Sequence, residues 1–187
     1  AAEGATVTVA DINPETAAET AALITKDGGT ATPVTADVAS EPDVRAMIEA
    51  ATSNGGRLDV LHSNAAVLSP DVYGRDLDLT DMEVDVWDRT HAVNLRGAML
   101  CVKHAIPHMR PGSAIIFTTS VSALVGDTDH AAYGSAKAAL ISLTRYVATM
   151  YGKRGIRCNA VAPALVLTET AQRAMSPERL AEKAAER

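Results

Sequence analysis

The stretch YGSAKAALISLTRYVATMYG, from Tyr133 to Gly152, is the part of this 187-residue sequence from which the fold can be worked out. It is rich in alanine and has no proline, which predicts a helix from Tyr133 to Tyr151. The run SAIIFTTS, which ends at Ser120, precedes it and has the short, apolar character of a buried strand. A strand followed by a helix is therefore the local unit.

The same unit recurs along the chain. Further strands are predicted at ATVTVAD (Ala5 to Asp11), ATPVTAD (Ala31 to Asp37), LDVLHSNAA (from Leu58) and IRCNAVAPA (from Ile156). Helices are predicted from the caps Asn13 and Ser40, across Met82 to Met109, and from Ser176. This alternation predicts a single α/β domain over residues 1–187, with a parallel sheet covered by helices on both faces.

The composition of the chain excludes several classes of protein. The chain is 47% hydrophobic, 3% aromatic and has a net charge of −6, which excludes a typical nucleic-acid binder with a basic face or stacking rings. No apolar run has the length of a membrane span. Cys101 and Cys158 form neither a CxxC pair nor a disulfide framework, so we expect buried free thiols and a cytoplasmic location.

Polar or tight-turning residues stand at the carboxyl end of every predicted strand. These residues are Asp11, Asp37, Asn64-Ala65-Ala66, Ser120 and Pro163. In open parallel sheets, ligands bind outside the carboxyl ends of the strands. The sequence therefore predicts one ligand site along this edge of the sheet.

Tyr133 and Lys137 lie one helical turn apart. The ligand site predicted at this edge of the sheet favours a functional role for the pair. A tyrosine with a pKa near 10 is a poor base at neutral pH, but a neighbouring ammonium favours the phenolate. Such a tyrosine can exchange a proton with an alcohol or carbonyl while the Ser120 hydroxyl holds the substrate oxygen. Asn94, on the preceding helix, is expected to order a water against Lys137. A hydride carrier is the component that side chains cannot supply.

These residues together resemble the short-chain dehydrogenase/reductase superfamily, from the first residue to about Thr170. The matching set is Tyr133-x-x-x-Lys137, Ser120, Asn94 and the run Pro163, Val166, Thr168. The resemblance implies a Rossmann-like doubly wound sheet, with Tyr133 as general acid/base and Lys137 on the nicotinamide ribose. It implies that Ser120 positions the substrate oxygen and that Asn94 supports a proton relay.

The same resemblance implies where the cofactor and substrate lie. The implied cofactor-binding residues are Asp11, Ile12, Asp37, Val38, Asn64, Ala65, Ala66, Tyr133, Lys137, Pro163, Val166 and Thr168. On the substrate side, Ser120, Ser122 and Tyr133 would contact a small-molecule alcohol or ketone. A homodimer or homotetramer is expected through apolar helix faces, and residues 165–187 are expected to form a lid.

The cofactor can be argued from the end of the first strand. A carboxylate at Asp11 can accept hydrogen bonds from both adenosine ribose hydroxyls and would repel a 2′-phosphate. The following residues, Ile12, Asn13 and Pro14, offer no compensating cation. NAD is therefore expected rather than NADP, although a plain strand-end aspartate remains the alternative. His104 and His108 have metal-pair spacing, but Pro107 interrupts them, so no metal is expected.

The chain departs from the family pattern at its start. No glycine-rich TGxxxGxG turn, which would bind the pyrophosphate, occurs. The first and last strands of the family's sheet are thus expected to lie outside this chain, leaving a gap between the strands at Ala5 and Leu58. The expected function is NAD-dependent, metal-independent interconversion of a secondary alcohol and a ketone. The alternative is a non-catalytic Rossmann-fold binding or assembly protein that lacks the phosphate-binding loop.

Overall fold

The computed structural model of this chain describes residues 1–53, 56–164 and 166. Five strands and five α-helices follow one another along these residues, and they alternate as predicted except that two helices lie between the third and fourth strands. The strands are β1 (Thr6–Asp11), β2 (Thr30–Thr35), β3 (Val60–Ser63), β4 (Ala114–Thr118) and β5 (Arg157–Val161). The helices are α1 (Pro14–Lys26), α2 (Glu41–Thr52), α3 (Val84–His91), α4 (Gly97–Ala105) and α5 (Ala131–Tyr151).

All three strand pairs of the described residues are parallel, and they form two separate sheets. β1 pairs with β2, starting at Thr6 opposite Thr30, while β4 lies between β3 and β5. Within the described residues, β1 and β3 each keep one edge without a strand partner, and a cavity lies between these two edges. The predicted gap between the strands at Ala5 and Leu58 is confirmed.

Local signals in the sequence set the helix starts. Asn13 caps α1, since its side chain accepts hydrogen bonds from the amides of Glu15 and Thr16. Ser40 and Asp43 bond to each other at the start of α2, as the spacing predicted. Helix α1 ends at Lys26, before Gly28, whose φ of 83° places it in the left-handed region that glycine tolerates.

The core lies around β4. Ile115 and Phe117 are fully buried there, packed with apolar residues of α2, α4 and α5. On the outside, α2 is tied to α4 because Glu41 accepts hydrogen bonds from Lys103 (2.6 Å) and His104 (2.9 Å). His104 on α4 thus contacts the carboxylate of Glu41 on α2.

Gly97 brings α4 close to the loop after β2. A Cβ atom on Gly97 would stand 2.8 Å from the Cγ2 atom of Val38 and 3.0 Å from its carbonyl oxygen, so a side chain would force the two apart. This close approach holds Val38 beside the carboxyl edge of the sheet, where the ligand site is predicted.

Several predicted elements extend beyond the observed ones. β2 ends at Thr35 rather than Asp37, and β4 ends at Thr118 rather than Ser120, because regular pairing stops there, and beyond it, of the residues described, only the amides of Ala36 and Thr119 still bond to the neighbouring strands. The single helix predicted from Met82 to Met109 is α3, a π-helical turn (Ala92–Arg96), α4 and a 3₁₀ turn. Among the described residues, none of the helices combines the length and the hydropathy that a membrane-spanning segment needs.

Candidate active site

A cavity of about 1900 Å³ opens at the carboxyl ends of the strands. It is lined by seven of the predicted cofactor-binding residues, namely Asp11, Ile12, Asp37, Val38, Asn64, Ala65 and Ala66. Small-molecule sites usually measure roughly 300–1,000 Å³. The larger volume arises because the cavity continues between the facing edges of β1 and β3.

Two carboxylates line this cavity, one at the end of β1 and one in the turn after β2. The Oδ1 atom of Asp11 accepts a hydrogen bond from the amide of Asn13 at 2.8 Å, which holds the side chain at the end of β1. Asp37 accepts from the amide of Ala39 at 2.8 Å through Oδ1 and pairs with Arg89 at 3.2 Å through Oδ2. Arg89 of α3 also lines the cavity, and the sequence patterns did not single it out.

Tyr133 and Ser120 meet beyond the end of β4. Ser120 caps a 3₁₀ turn (Val121–Ala123) by accepting a hydrogen bond from the amide of Ser122 at 3.2 Å, and it also bonds to the Tyr133 side chain. Burial raises the pKa of Tyr133, and the hydrogen bond with Ser120 opposes that shift. The phenol therefore stays protonated at neutral pH.

Lys137 is enclosed beneath this pair. It is only 2% exposed, its Nζ atom donates to the carbonyl of Thr118 at 2.8 Å, and Nζ lies 5.6 Å from the centre of the Tyr133 ring. Burial lowers the pKa of Lys137 to about 8. We expected the ammonium to lower the pKa of Tyr133, but the net direction is upward, because burial of the phenol outweighs other effects.

Asn94 lies in the π-helical turn and is 1% exposed. Its Oδ1 atom accepts a hydrogen bond from the amide of Val67 at 2.9 Å, which ties the turn to the segment after β3. Its Nδ2 atom is buried and has no hydrogen-bond partner in the described part of the chain. π-Helical turns often occur at functional sites.

Two of the remaining predicted residues, Ser122 and Pro163, lie at the Ser120 turn. The carbonyl of Ser122 packs against Gly134, where a Cβ atom would stand only 3.1 Å away, and the carbonyl of Pro163 accepts a hydrogen bond from Val121 at 3.1 Å. Val166 is exposed. Thr168, the predicted lid over residues 165–187 apart from Val166, and the predicted helix from Ser176 lie outside the described residues.

Sequence reasoning missed two residues that touch the start of α5. The carboxylate of Asp76 accepts hydrogen bonds from the amides of Ala132 and Tyr133, and the ring of Tyr73 lies edge-on to that of Tyr133 at 5.3 Å between ring centres. Both lie in the polar segment before α3. No sequence pattern marked these two residues. The hydrogen bonds of Asp76 join residues 56 and 57 positions apart, which is beyond the reach of any local pattern.

A parallel α/β sheet with acid–base side chains gathered at its carboxyl edge defines the chain as a dinucleotide-fold protein. A family model described as enoyl-(acyl carrier protein) reductase matches residues 1–187. The chain is 42% identical over 134 residues to a probable short-chain type dehydrogenase/reductase of Bradyrhizobium diazoefficiens, covering 71% of this chain and 47% of that protein. It thus spans about half the length of that relative.

Two further similarities cover most of the chain. A 2,5-dichloro-2,5-cyclohexadiene-1,4-diol dehydrogenase of Sphingobium indicum is 38% identical over 177 residues, or 93% of this chain and 68% of that protein. The crystal structure of a dehydrogenase/reductase from Sinorhizobium meliloti superposes with a TM-score of 0.86 at 30% identity, covering 97% of this chain and 70% of the other. The chain belongs to the short-chain dehydrogenase/reductase family, whose members are oxidoreductases that use NAD or NADP. The predicted Rossmann-like fold and the family resemblance are confirmed.

Proposed function

We propose that this protein is an NAD-dependent, metal-independent dehydrogenase that interconverts a secondary alcohol and a ketone. The observation that carries the proposal is the hydrogen-bonded pair of Tyr133 and Ser120 above the buried Lys137. A phenol and a second hydroxyl side by side can bind one substrate oxygen and move its proton.

Each residue has a distinct role in this proposal. Tyr133 accepts the proton of the alcohol during oxidation and returns it during reduction. Ser120 holds the substrate oxygen, and Lys137 fixes the end of β4 through the carbonyl of Thr118 while its charge balances the phenolate. NAD, when bound, supplies the hydride acceptor. Asn94 is proposed to support proton exchange with solvent through its buried amide.

The residues lining the cavity fit a dinucleotide. Asp11 ends β1, Asp37 follows the end of the neighbouring strand β2, and Asn64 to Ala66 follow β3, all around one opening. Asp11 is held by the amide of Asn13 and is proposed to accept hydrogen bonds from the adenosine ribose. Tyr133, Lys137, Pro163, Val166 and Thr168 are proposed to contact the nicotinamide half.

The substrate proposed is a cyclic secondary alcohol. The Sphingobium relative is named for a cyclohexadiene diol, and Leu124 and Val125, just beyond Ser120, expose apolar side chains near the pair. The free thiols of Cys101 and Cys158 are buried, which favours a reducing, cytoplasmic location. Exposed Met99 and Met150 on α4 and α5 favour a homodimer or homotetramer through these helices.

The first test is a dehydrogenase assay on the purified protein. With NAD⁺ and a panel of cyclohexanols, cyclohexanediols and hydroxysteroids, we expect NADH to form with at least one alcohol, and treatment with EDTA to leave the rate unchanged. Tight NAD binding without NADH formation from any alcohol would contradict the proposal and favour a non-catalytic dinucleotide-binding protein.

A second prediction concerns the choice of cofactor. Asp11→Ala removes the acceptors proposed for the ribose and the charge that would repel a 2′-phosphate. A hydrogen bond to a charged group is worth about 1.5–3 kcal/mol, so kcat/KM with NAD⁺ should fall about 10- to 100-fold while that with NADP⁺ rises. The matched control is Asp27→Ala at the exposed end of α1. An unchanged ratio of NAD⁺ to NADP⁺ activity in the Asp11 variant would exclude this role.

A further inference from the structure

We propose that Asp76 is a positioning residue that holds Tyr133 in place for proton transfer. This inference rests on the proposed function, because it concerns the same tyrosine. It assigns a role to a segment before α3 that no sequence motif marked.

Asp76 caps the helix that carries Tyr133. Its side chain is completely buried, and its two carboxylate oxygens accept hydrogen bonds from the amides of Ala132 (3.1 Å) and Tyr133 (2.8 Å). Helix α5 begins at Ala131, so these amides belong to the first turn, where no carbonyl of the helix can reach them. A carboxylate at this end of a helix is also favoured by the helix dipole.

The helix has no cap of its own, which makes the distant carboxylate necessary. The residue before α5 is His130, whose side chain makes no capping hydrogen bond and whose φ is 62°. It is the only non-glycine residue with positive φ in the described part of the chain. This conformation is held from the same segment, because the carbonyl of Asp76 accepts a hydrogen bond from the amide of His130 at 2.8 Å.

The segment also contacts the tyrosine ring. Tyr73, three residues before Asp76, stacks on the His130 ring with 4.0 Å between ring centres and meets the Tyr133 ring edge-on at 5.3 Å. Asp76 thus fixes the backbone of Tyr133, Tyr73 restricts its ring, and Ser120 bonds its hydroxyl. Three contacts from two separate segments define the position of one phenol.

Such restraint matters because proton transfer requires the phenol within hydrogen-bond reach of the substrate oxygen. A displacement of about 1 Å in an active site can cost about 100-fold in rate. Without Asp76, the first turn of α5 would lose both of its side-chain acceptors, and the position of Tyr133 would broaden. The adenosine half of the dinucleotide is proposed to bind around Asp11 and Asp37, away from this turn, so the affinity for NAD should change far less than kcat.

The test compares Asp76→Ala and the nearly isosteric Asp76→Asn with Asp78→Asn. Asp78 is an exposed carboxylate two residues further along, which accepts hydrogen bonds only from Thr80 among the bonds described. We expect kcat to fall about 100-fold in Asp76→Ala and about 10-fold in Asp76→Asn, with the Kd for NAD within twofold of the unchanged protein. Oxidation of substrate deuterated at the carbinol carbon should show a larger isotope effect in both variants, since a misplaced tyrosine slows the chemical step. Asp78→Asn should change none of these quantities.

Amide hydrogen exchange gives a readout that does not need activity. Exchange at Ala132 and Tyr133 should be faster in Asp76→Asn than in the unchanged protein, while the amides in the middle of α5 keep their rates. If the unchanged protein shows no dehydrogenase activity, the proposed function fails, and the exchange rates alone decide whether Asp76 holds the turn. Wild-type kcat in a folded Asp76→Asn protein, unchanged exchange at these two amides, or a loss of NAD affinity as large as the loss of kcat would overturn the inference.

Discussion

Tyr133→Phe should lower kcat/KM for alcohol oxidation by about 1,000-fold, within the range of about 10²- to 10⁴-fold that a positioned acid–base group contributes. Only the hydroxyl is removed. The ring keeps its edge-on contact with Tyr73, and the amide keeps its hydrogen bond to Asp76, so the fold should not change. The measurement is steady-state oxidation with NAD⁺, together with NAD binding and thermal unfolding of both proteins.

The chain offers a matched control in Tyr146→Phe on the same helix. Tyr146 is 63% exposed, and its loss of a hydroxyl should leave the rate unchanged. Because the pKa of Tyr133 is raised, oxidation by the unchanged protein, which needs the phenolate, should become faster as pH rises above neutral. Reduction, which needs the phenol, should not. A Tyr133→Phe protein that keeps most of the rate would show that another group moves the proton.

Lys137→Met should abolish oxidation and yet stabilise the fold. Burial lowers the pKa of Lys137 from its ordinary 10.5 to about 8, which corresponds to a cost on the order of 3 kcal/mol for keeping the ammonium charged. Methionine has a similar length and carries no charge. Part of the gain is lost because the Thr118 carbonyl loses its donor, at about 1–3 kcal/mol. We expect a net increase in the free energy of unfolding of about 1 kcal/mol at pH 7.

The effect of Lys137 on the free energy of unfolding depends on pH. The pKa of Lys137 is lower in the folded protein than in the unfolded chain, so the cost of the buried charge is fully present below about pH 8. Between about pH 8 and 10.5 the folded protein has released the proton that the unfolded chain still holds, so stability of the unchanged protein rises with pH. The contribution of Lys137 to this rise should vanish in Lys137→Met.

Urea unfolding at pH 7 and pH 9.5 measures both effects. Lys153→Met is the matched control, because Lys153 is exposed in the 3₁₀ turn after α5 and should show neither the gain at pH 7 nor the altered slope. A Lys137→Met protein that is less stable than the unchanged one at pH 7 would mean that the Thr118 hydrogen bond outweighs the burial of the charge.

Much of the fold could be predicted from local residues. The caps Asn13 and Ser40 and the end of α1 at Lys26 were all read correctly, because these signals act through bonds between residues close in sequence. Strand ends were less accurate. Thr118 leads into a turn that the β-branched pattern of SAIIFTTS does not mark, because a strand ends where its ladder partners end.

The candidate site was likewise only partly predictable from the sequence. Tyr133, Ser120 and Lys137 could be singled out because their residue types and order carry chemistry, and the structure brings the three together. The direction of the Tyr133 pKa shift was wrong, since it depends on how much protein surrounds the phenol. Burial is a property of the packed chain, and sequence spacing does not measure it.

The gap between β1 and β3 was expected from the family resemblance, whereas the alternation of strands and helices and the edge at which polar residues gather came from the residues themselves. The latter two follow from periodicity, caps and residue type, which act over a few residues or repeat regularly. The folded structure was needed to show that Asp76 caps the helix of Tyr133, that Arg89 pairs with Asp37, and that Lys137 is enclosed. Such contacts join segments far apart in the chain, so packing of the whole domain selects them rather than any local pattern.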